Sequence, residues 1–330
     1  MRETDYFHDF VEYYRKAAHL QDRQFDPELP PTGDPLMDNV PIYDCVERRF
    51  AGFSNALQQA WYGSNNPKHW QAAPRFDGLD LQTIEWLWVF LVHRVTGSGA
   101  SFEDDHGFRN SVVPEMVWQG TMFEQRDWLL NEMRGGRAVF TSIGNQIPPF
   151  PKPRDGYARG GELYLAEYAP QLVLDTYEWL REQDDRPVPI TEVVDYVLAW
   201  HVEHGLKRFK FVLTAWAMDI AEYYPHVVDA ESHVYYGANC EEAFDLMFEG
   251  GPRNKRERDV LRMDMIRDAV YDGRHPAHPF SLEDVCCDYV RYIECYVPKG
   301  TAPDLDVTNR SRMAQHPKHR SFHAHVQRAD

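Results

Sequence analysis

Residues 209–224 read Phe-Lys-Phe-Val-Leu-Thr-Ala-Trp-Ala-Met-Asp-Ile-Ala-Glu-Tyr-Tyr, and no other stretch of the chain restricts its fold as much. A helix this apolar on nearly every side must be covered all round, so the rest of the chain has to build a core about it. Residues 81–95, with Trp86, Leu87, Trp88, Val89 and Phe90 in succession, pose the same demand and predict a second buried helix. Gly205 in front and Pro225 behind punctuate the first one, because glycine suits the left-handed end of a helix and proline cannot continue one. Three-four spacing predicts further helices over 5–18, 46–62, 171–181, 191–204, 259–271 and 281–296, while alternating strand patterns are scarce. The expectation is an all-α fold: a single helical domain with long ordered loops. It divides into a helical region at 1–75 packed on a core, the core at 76–300, and a basic tail at 301–330.

Two polar stretches, 97–113 and 134–161, are long for connections inside a compact domain. Their Phe, Ile, Asn and Gln content is unlike that of a disordered linker, so they are expected to be ordered binding loops. The first contains Asp104-Asp105-His106-Gly107-Phe108-Arg109-Asn110. Two carboxylates beside a histidine suit acid–base work or part of a divalent-metal site, and Arg109 offers a forked donor for phosphate or carboxylate. A turn capped by Asp105 with Arg109 in a surface ion pair would give the same letters. The second holds Thr141-Ser142-Ile143-Gly144-Asn145-Gln146, where Asn and Gln can read a base edge and glycine admits a close backbone approach. A plain glycine turn reads the same way.

Between the helices at 191–204 and 209–224, the turn His204-Gly205-Leu206-Lys207-Arg208 is followed by Lys210. Backbone amides beside such cations can hold a phosphate. Asp219 lies among Trp216, Met218 and Ile220, so it must meet a cation or be used by the site. Val228-Asp229 leads toward another helix start, which places Asp229 either before a ligand or as a simple cap. His201-Val-Glu-His204 follows neither zinc-protease pattern, and no metal ligands are assigned. On the last helix Asp284, Asp288, Arg291 and Cys295 share the side away from the apolar stripe, and Ser281 with Asp284 matches a capping box.

A net charge of −17 argues against broad adhesion to nucleic acid. It leaves room for local basic surfaces at 253–267 and 309–328. Five cysteines, unevenly spread, fit reduced thiols and lack the spacing of an iron–sulfur cluster. No run of 18 uncharged apolar residues exists, and the first residues lack the apolar segment of a secretory signal. A cytoplasmic protein without a membrane span is expected.

The order of hairpin, Thr-Ala helix and Val-Asp pair resembles that of helix-hairpin-helix DNA glycosylases, with His-Gly-Leu-Lys where those have Gly-x-Gly. Four blocks, at 98–110, 140–148, 211–225 and 283–292, resemble the bacteriophage α-glutamyl/putrescinyl thymine pyrophosphorylases, or amino acid:DNA transferases, over roughly residues 5–300. That resemblance implies a glycosylase-related helical fold encoded by a phage and working in the host cytoplasm. It also implies replacement of the pyrophosphate on a pyrophosphorylated 5-hydroxymethyluracil in double-stranded DNA by the amine of an amino acid or polyamine. A phage hydroxymethyluracil DNA kinase would supply the substrate and could associate with the chain. No cofactor is firmly implied, though Mg²⁺ suits a pyrophosphate leaving group.

In this reading Asp105, His106, Asp229 and Asp219 are the catalytic candidates. Asp104, Arg109, Asn110, Ser142, Asn145, Gln146, Tyr223, Tyr235, Tyr236, Asp288 and Arg291 would bind substrate, the tyrosines holding an extruded base. Lys207, Arg208 and Lys210 would meet phosphate. A glycosylase or lyase acting on a modified pyrimidine, resting on Asp229, is the nearest enzymatic alternative. A non-catalytic DNA-binding subunit of a modification complex is the other.

Overall fold

The computed structural model describes residues 1–64, 66–70, 79, 81–96, 111–140, 149–183 and 187–297. Among these the chain is all-α. In chain order the helices are α1 (Asp5–Phe25), α2 (Pro35–Asn39), α3 (Asn55–Tyr62), α4 (Leu81–Val95), α5 (Val113–Met116), α6 (Met122–Arg134) and α7 (Gly160–Leu163), which continues through a π-helical turn (Tyr164–Tyr168) into α8 (Ala169–Glu182). Then come α9 (Ile190–Glu203), α10 (Lys210–Tyr223), α11 (Ala238–Met247), α12 (Lys255–Val270) and α13 (Pro279–Ile293). Strand is confined to two-residue bridges: β1 (Arg2–Glu3) pairs antiparallel with β4 (Phe248–Glu249), and β2 (Val188–Pro189) pairs parallel with β3 (Val228–Asp229).

The helices gather into two compact units. Unit 1 joins residues 1–52 to 236–297, so α1 and α2 pack with α11, α12 and α13 from the other end of the sequence. Its core is aromatic: Phe10 stands edge-on to Tyr289 at 5.2 Å, and Tyr13 contacts Tyr289 and Tyr292 at 5.4 and 4.9 Å. Residues 46–62 were expected as one helix, and the structure corrects this to short 3₁₀ turns followed by α3. The physical reason lies in α1, where buried Gln21 takes the amides of Val46 and Glu47 on its side-chain oxygen, both at 2.9 Å. Those amides are thereby withdrawn from any helical ladder.

Unit 2 comprises the described residues between 53 and 235 and is built around the two predicted apolar helices, α4 and α10. Trp216 on α10 is fully buried and donates its indole N–H to the Leu87 carbonyl of α4 at 2.9 Å. Burial of each such large side chain stabilises by about 1.5–3 kcal/mol. The same packing encloses Asp219, whose carboxylate takes both arms of the Arg94 guanidinium at 2.5 Å. Helix α6 goes unread by apolar spacing, yet Thr121 and Glu124 form the reciprocal capping box that starts it.

Candidate functional site

In unit 2 the turn between α9 and α10 is fixed from within. The amide of Leu206 reaches the His201 carbonyl at 2.8 Å and that of Gly205 reaches Val202 at 3.1 Å. This pair of bonds closes the helix only if the intervening residue is left-handed, and Gly205 has φ +68°. Beyond it Phe209 turns inward against Phe150, Tyr164 and His201. Tyr164 sits on the π-helical turn, and its hydroxyl is 3.1 Å from His201 Nε2. Burial lowers the His201 pKa to about 4, so the ring stays neutral inside.

With Phe209 anchored, its neighbours are turned outward. Lys207, Arg208 and Lys210 are exposed, and the first two have no carboxylate partner among the described residues. Lys210 places its ammonium 4.2 Å from the Tyr235 ring centre, and Tyr235 donates its hydroxyl to Asp195 at 2.7 Å. Helix α10 begins without a side-chain cap, which leaves first-turn amides beside these cations. Phe211 is 57% exposed next to them. In a chain of net charge −17, an exposed cationic turn with an uncapped helix start and a bare aromatic ring is suited to an anionic polymer with stackable faces.

In unit 1 the polar side of α13 faces the segment 43–48. Arg48 pairs with Asp284 at 2.5 Å and Arg291 with Asp288 at 2.6 Å. Buried Glu283 accepts the Gly237 amide at 3.1 Å. Burial drives the Asp44 and Asp288 carboxyls up to about 7, with the Asp288 charge adding to it at Asp44 and the Asp284 charge at Asp288, where Arg291 pulls the other way. Glu283 rises to about 8, again chiefly through burial with Asp284 adding its charge. Carboxyls that titrate near neutrality can give or take a proton under ordinary conditions. The spacing of Asp288 and Arg291 on one side of the last helix was legible in the sequence. Asp44 was missed, because no periodic signal marks a residue that closes a short 3₁₀ turn.

Other expectations meet the structure differently. The Ser281–Asp284 capping box does not form: α13 starts at Pro279, a residue pre-set for the first helical position, and Ser281 accepts the Arg48 amide at 3.2 Å instead. Asp229 is neither at a helix start nor a helix cap. Its backbone bridges to Pro189, its carboxylate takes the Glu231 amide at 2.9 Å in a turn, and the next helix begins only at Ala238. Asp219 is consumed by Arg94 in the core. Tyr223 is 4% exposed with its ring stacked on Phe90, so it belongs to the core too. Tyr236 packs edge-on against Phe244 within unit 1.

His201 and His204 each direct Nδ1 to a backbone carbonyl one turn back, at 2.8 Å in both cases. The described residues contain no group of three His, Cys, Asp or Glu side chains that could hold a metal ion. Asp104, Asp105, His106, Arg109, Asn110, Ser142, Asn145 and Gln146 lie outside the described residues. No helix among the described residues is long and apolar enough to cross a membrane. Compared with family models, curated proteins and solved structures, the chain matches none.

Proposed function

We propose that the chain is a DNA-modifying transferase that replaces the pyrophosphate of 5-(pyrophosphoryloxymethyl)deoxyuridine in DNA with the amine of an amino acid or polyamine. The observation that carries this reading is the exposed turn Lys207-Arg208 with Lys210 and Phe211 at the uncapped start of α10, set in a strongly acidic chain. It supplies the phosphate grip that the resemblance of the sequence blocks calls for. Phosphate contacts of this kind fix position on the duplex, and the exposed ring can stack on a base displaced from the helix.

The reaction asks for two things. The carbon–oxygen bond to pyrophosphate breaks with its electron pair leaving on oxygen, which the electron-rich pyrimidine assists through a methide-like exocyclic carbon. The amine nitrogen then forms the new bond to that carbon and loses a proton. Arg109 and the basic turn would meet the departing charge, and Mg²⁺ accompanying the pyrophosphate is the cofactor that fits this step. Asp105 and His106 are the proposed proton acceptors, because Asp219 and Asp229 are occupied structurally. A kinase acting on hydroxymethyluracil in DNA would produce the substrate.

The test is mass spectrometry of nucleosides after incubating the chain with pyrophosphorylated DNA and a mixture of amines. A thymidine carrying one amine in place of pyrophosphate is expected. Release of a free base would instead establish the glycosylase alternative, and tight binding with unchanged nucleosides would establish a non-catalytic subunit.

A further inference from the structure

Unit 1 contains a cavity of about 380 Å³ between α1 and the end of α12. That volume lies in the lower part of the range of small-molecule sites. Its α1 wall is built from Arg15, Ala18, His19 and Asp22, whose spacing of three, four and seven puts them on one helix face. The other wall runs from Ala269 through Tyr271 and Asp272 to His275. An alanine in each wall leaves the gap between them unfilled.

At the Asp22 end the charges are matched. Arg274 donates to Asp22 at 2.6 Å, and His275 stands 3.3 Å from it. His19 gives its Nε2–H to the Pro30 carbonyl at 2.7 Å. Three features are left over. Arg15 is exposed, with no carboxylate partner among the described residues. Tyr271 leaves 61% of its surface bare. On Asp272, Oδ1 accepts the backbone amides of Arg274 and His275 at 2.8 and 3.1 Å. Its Oδ2 has only the His275 ring among the described residues, 3.5 Å away, and the side chain is 43% exposed.

Each of the three suits a different part of a ligand. A free guanidinium is a forked donor for phosphate or carboxylate. A bare phenol ring offers its face to another flat ring. A carboxylate oxygen beside the last carbonyls of α12, which have no partner within the helix, suits N–H donors. The cation also stands well apart from the acids. Arg15 and Asp22 are seven residues from each other on α1, about 10 Å along the helix axis. No ion of a few atoms spans that length. A nucleotide carries the three parts in this order: a phosphate, a sugar as spacer, and a planar base with N–H donors on its edge.

We propose that this cavity binds a nucleoside 5′-monophosphate, its phosphate on Arg15, its base against Tyr271 and a base N–H on Asp272. The site belongs to unit 1, whereas the basic turn assigned to DNA belongs to unit 2. Nucleotide binding here needs neither DNA nor the proposed transfer reaction.

Isothermal titration calorimetry on the full chain would use adenosine and thymidine 5′-monophosphates. Adenosine, ribose 5-phosphate and phenyl phosphate serve as probes that lack the phosphate, the base and the N–H donors in turn. Both nucleotides are expected to bind about tenfold more tightly than any of the three probes. Arg15→Ala should weaken the nucleotides about tenfold, the loss of one hydrogen bond to a charged group, and leave adenosine unchanged. Tyr271→Ala should weaken nucleotides and adenosine alike by about tenfold, whereas Tyr271→Phe keeps the ring and should bind as the wild type does. Both side chains are exposed, so the thermal midpoints should match and a lost affinity reports on the site and not on the fold. Absence of nucleotide binding, phenyl phosphate binding as tightly as a nucleotide, or affinities untouched by Arg15→Ala and Tyr271→Ala would overturn the proposal.

Discussion

The two units treat buried charge in opposite ways. Unit 2 closes it: Asp219 and Arg94, with side chains 3% and 7% exposed, satisfy each other through a two-pronged contact, and His201 is kept neutral against Tyr164. Unit 1 leaves it half open. Asp44, Asp284 and Asp288 are half-buried, and burial with nearby acid charge brings Asp44 and Asp288 to titrate near neutrality, at Asp288 in spite of Arg291. A closed pair holds a core together and does nothing further. An open excess of acid stores unfavourable energy that packing elsewhere must offset, a pattern found where groups are kept reactive.

The largest effect is expected where the closed pair is broken. Arg94→Ala would strand the Asp219 carboxylate in the core and should cost about 3–5 kcal/mol, read as a lowered denaturant midpoint. Arg94→Met with Asp219→Leu removes both charges at similar volume and should recover most of that loss. If the double variant is as unstable as the single one, the pair does more than neutralise itself, and the contrast with unit 1 weakens.

Which parts of this were legible in the sequence follows from range. The α9–α10 hairpin could be placed to within a residue or two, since Gly205, Pro225 and the apolar run between them are local signals. The stripe of Asp284, Asp288 and Arg291 was equally visible, because helical spacing is local. Arg94 as the partner of Asp219 was not, being 125 residues away. Nor was the interruption of 46–62, which depends on a glutamine in α1 capturing two distant amides. Asp229 was misplaced because a Val-Asp pair looks like a helix entry until its backbone finds Pro189 across a bridge. Long-range pairing decided each of these, and spacing along the chain carries no record of it.

The next effect in size is opposite in sign for the two units. Asp44, Asp288 and Glu283 have folded pKa values raised to about 7, 7 and 8, so the folded state holds protons that the unfolded chain has released. Their contribution is present below the ordinary carboxyl range and is lost as pH rises toward 8. His201, lowered to about 4, contributes fully above pH 6.5 and loses that contribution as pH falls toward 4. Three such acids outweigh one histidine, so the thermal midpoint should fall as pH rises from about 4 to 8, with His201 opposing part of that fall below pH 6.5. The loss above pH 6.5 should be of the order of a few kcal/mol and arise in unit 1. Asp288→Asn should flatten this fall by about 1–2 kcal/mol, whereas His201→Phe should steepen it below pH 6.5 and leave it unchanged above. A fall with rising pH unchanged in Asp288→Asn would remove the half-buried acids as its cause.

The smallest effect on stability, and the sharpest on the proposed role, is expected at the outward turn of unit 2. Lys207→Ala and Arg208→Ala touch no buried partner among the described residues, so each should change stability by less than about 0.5 kcal/mol. Their consequence should appear only with DNA. The slope of log affinity against log salt should shrink by about one for each cation that meets a phosphate, uniformly across duplex sequences. Phe211→Ala should leave that slope alone and weaken binding to DNA containing an unpaired base more than to a perfect duplex, because its 57% exposed ring adds stacking and no charge. A salt slope unaltered in the double variant Lys207→Ala/Arg208→Ala would show that this turn is ordinary solvated surface, and the phosphate grip would have to be sought elsewhere.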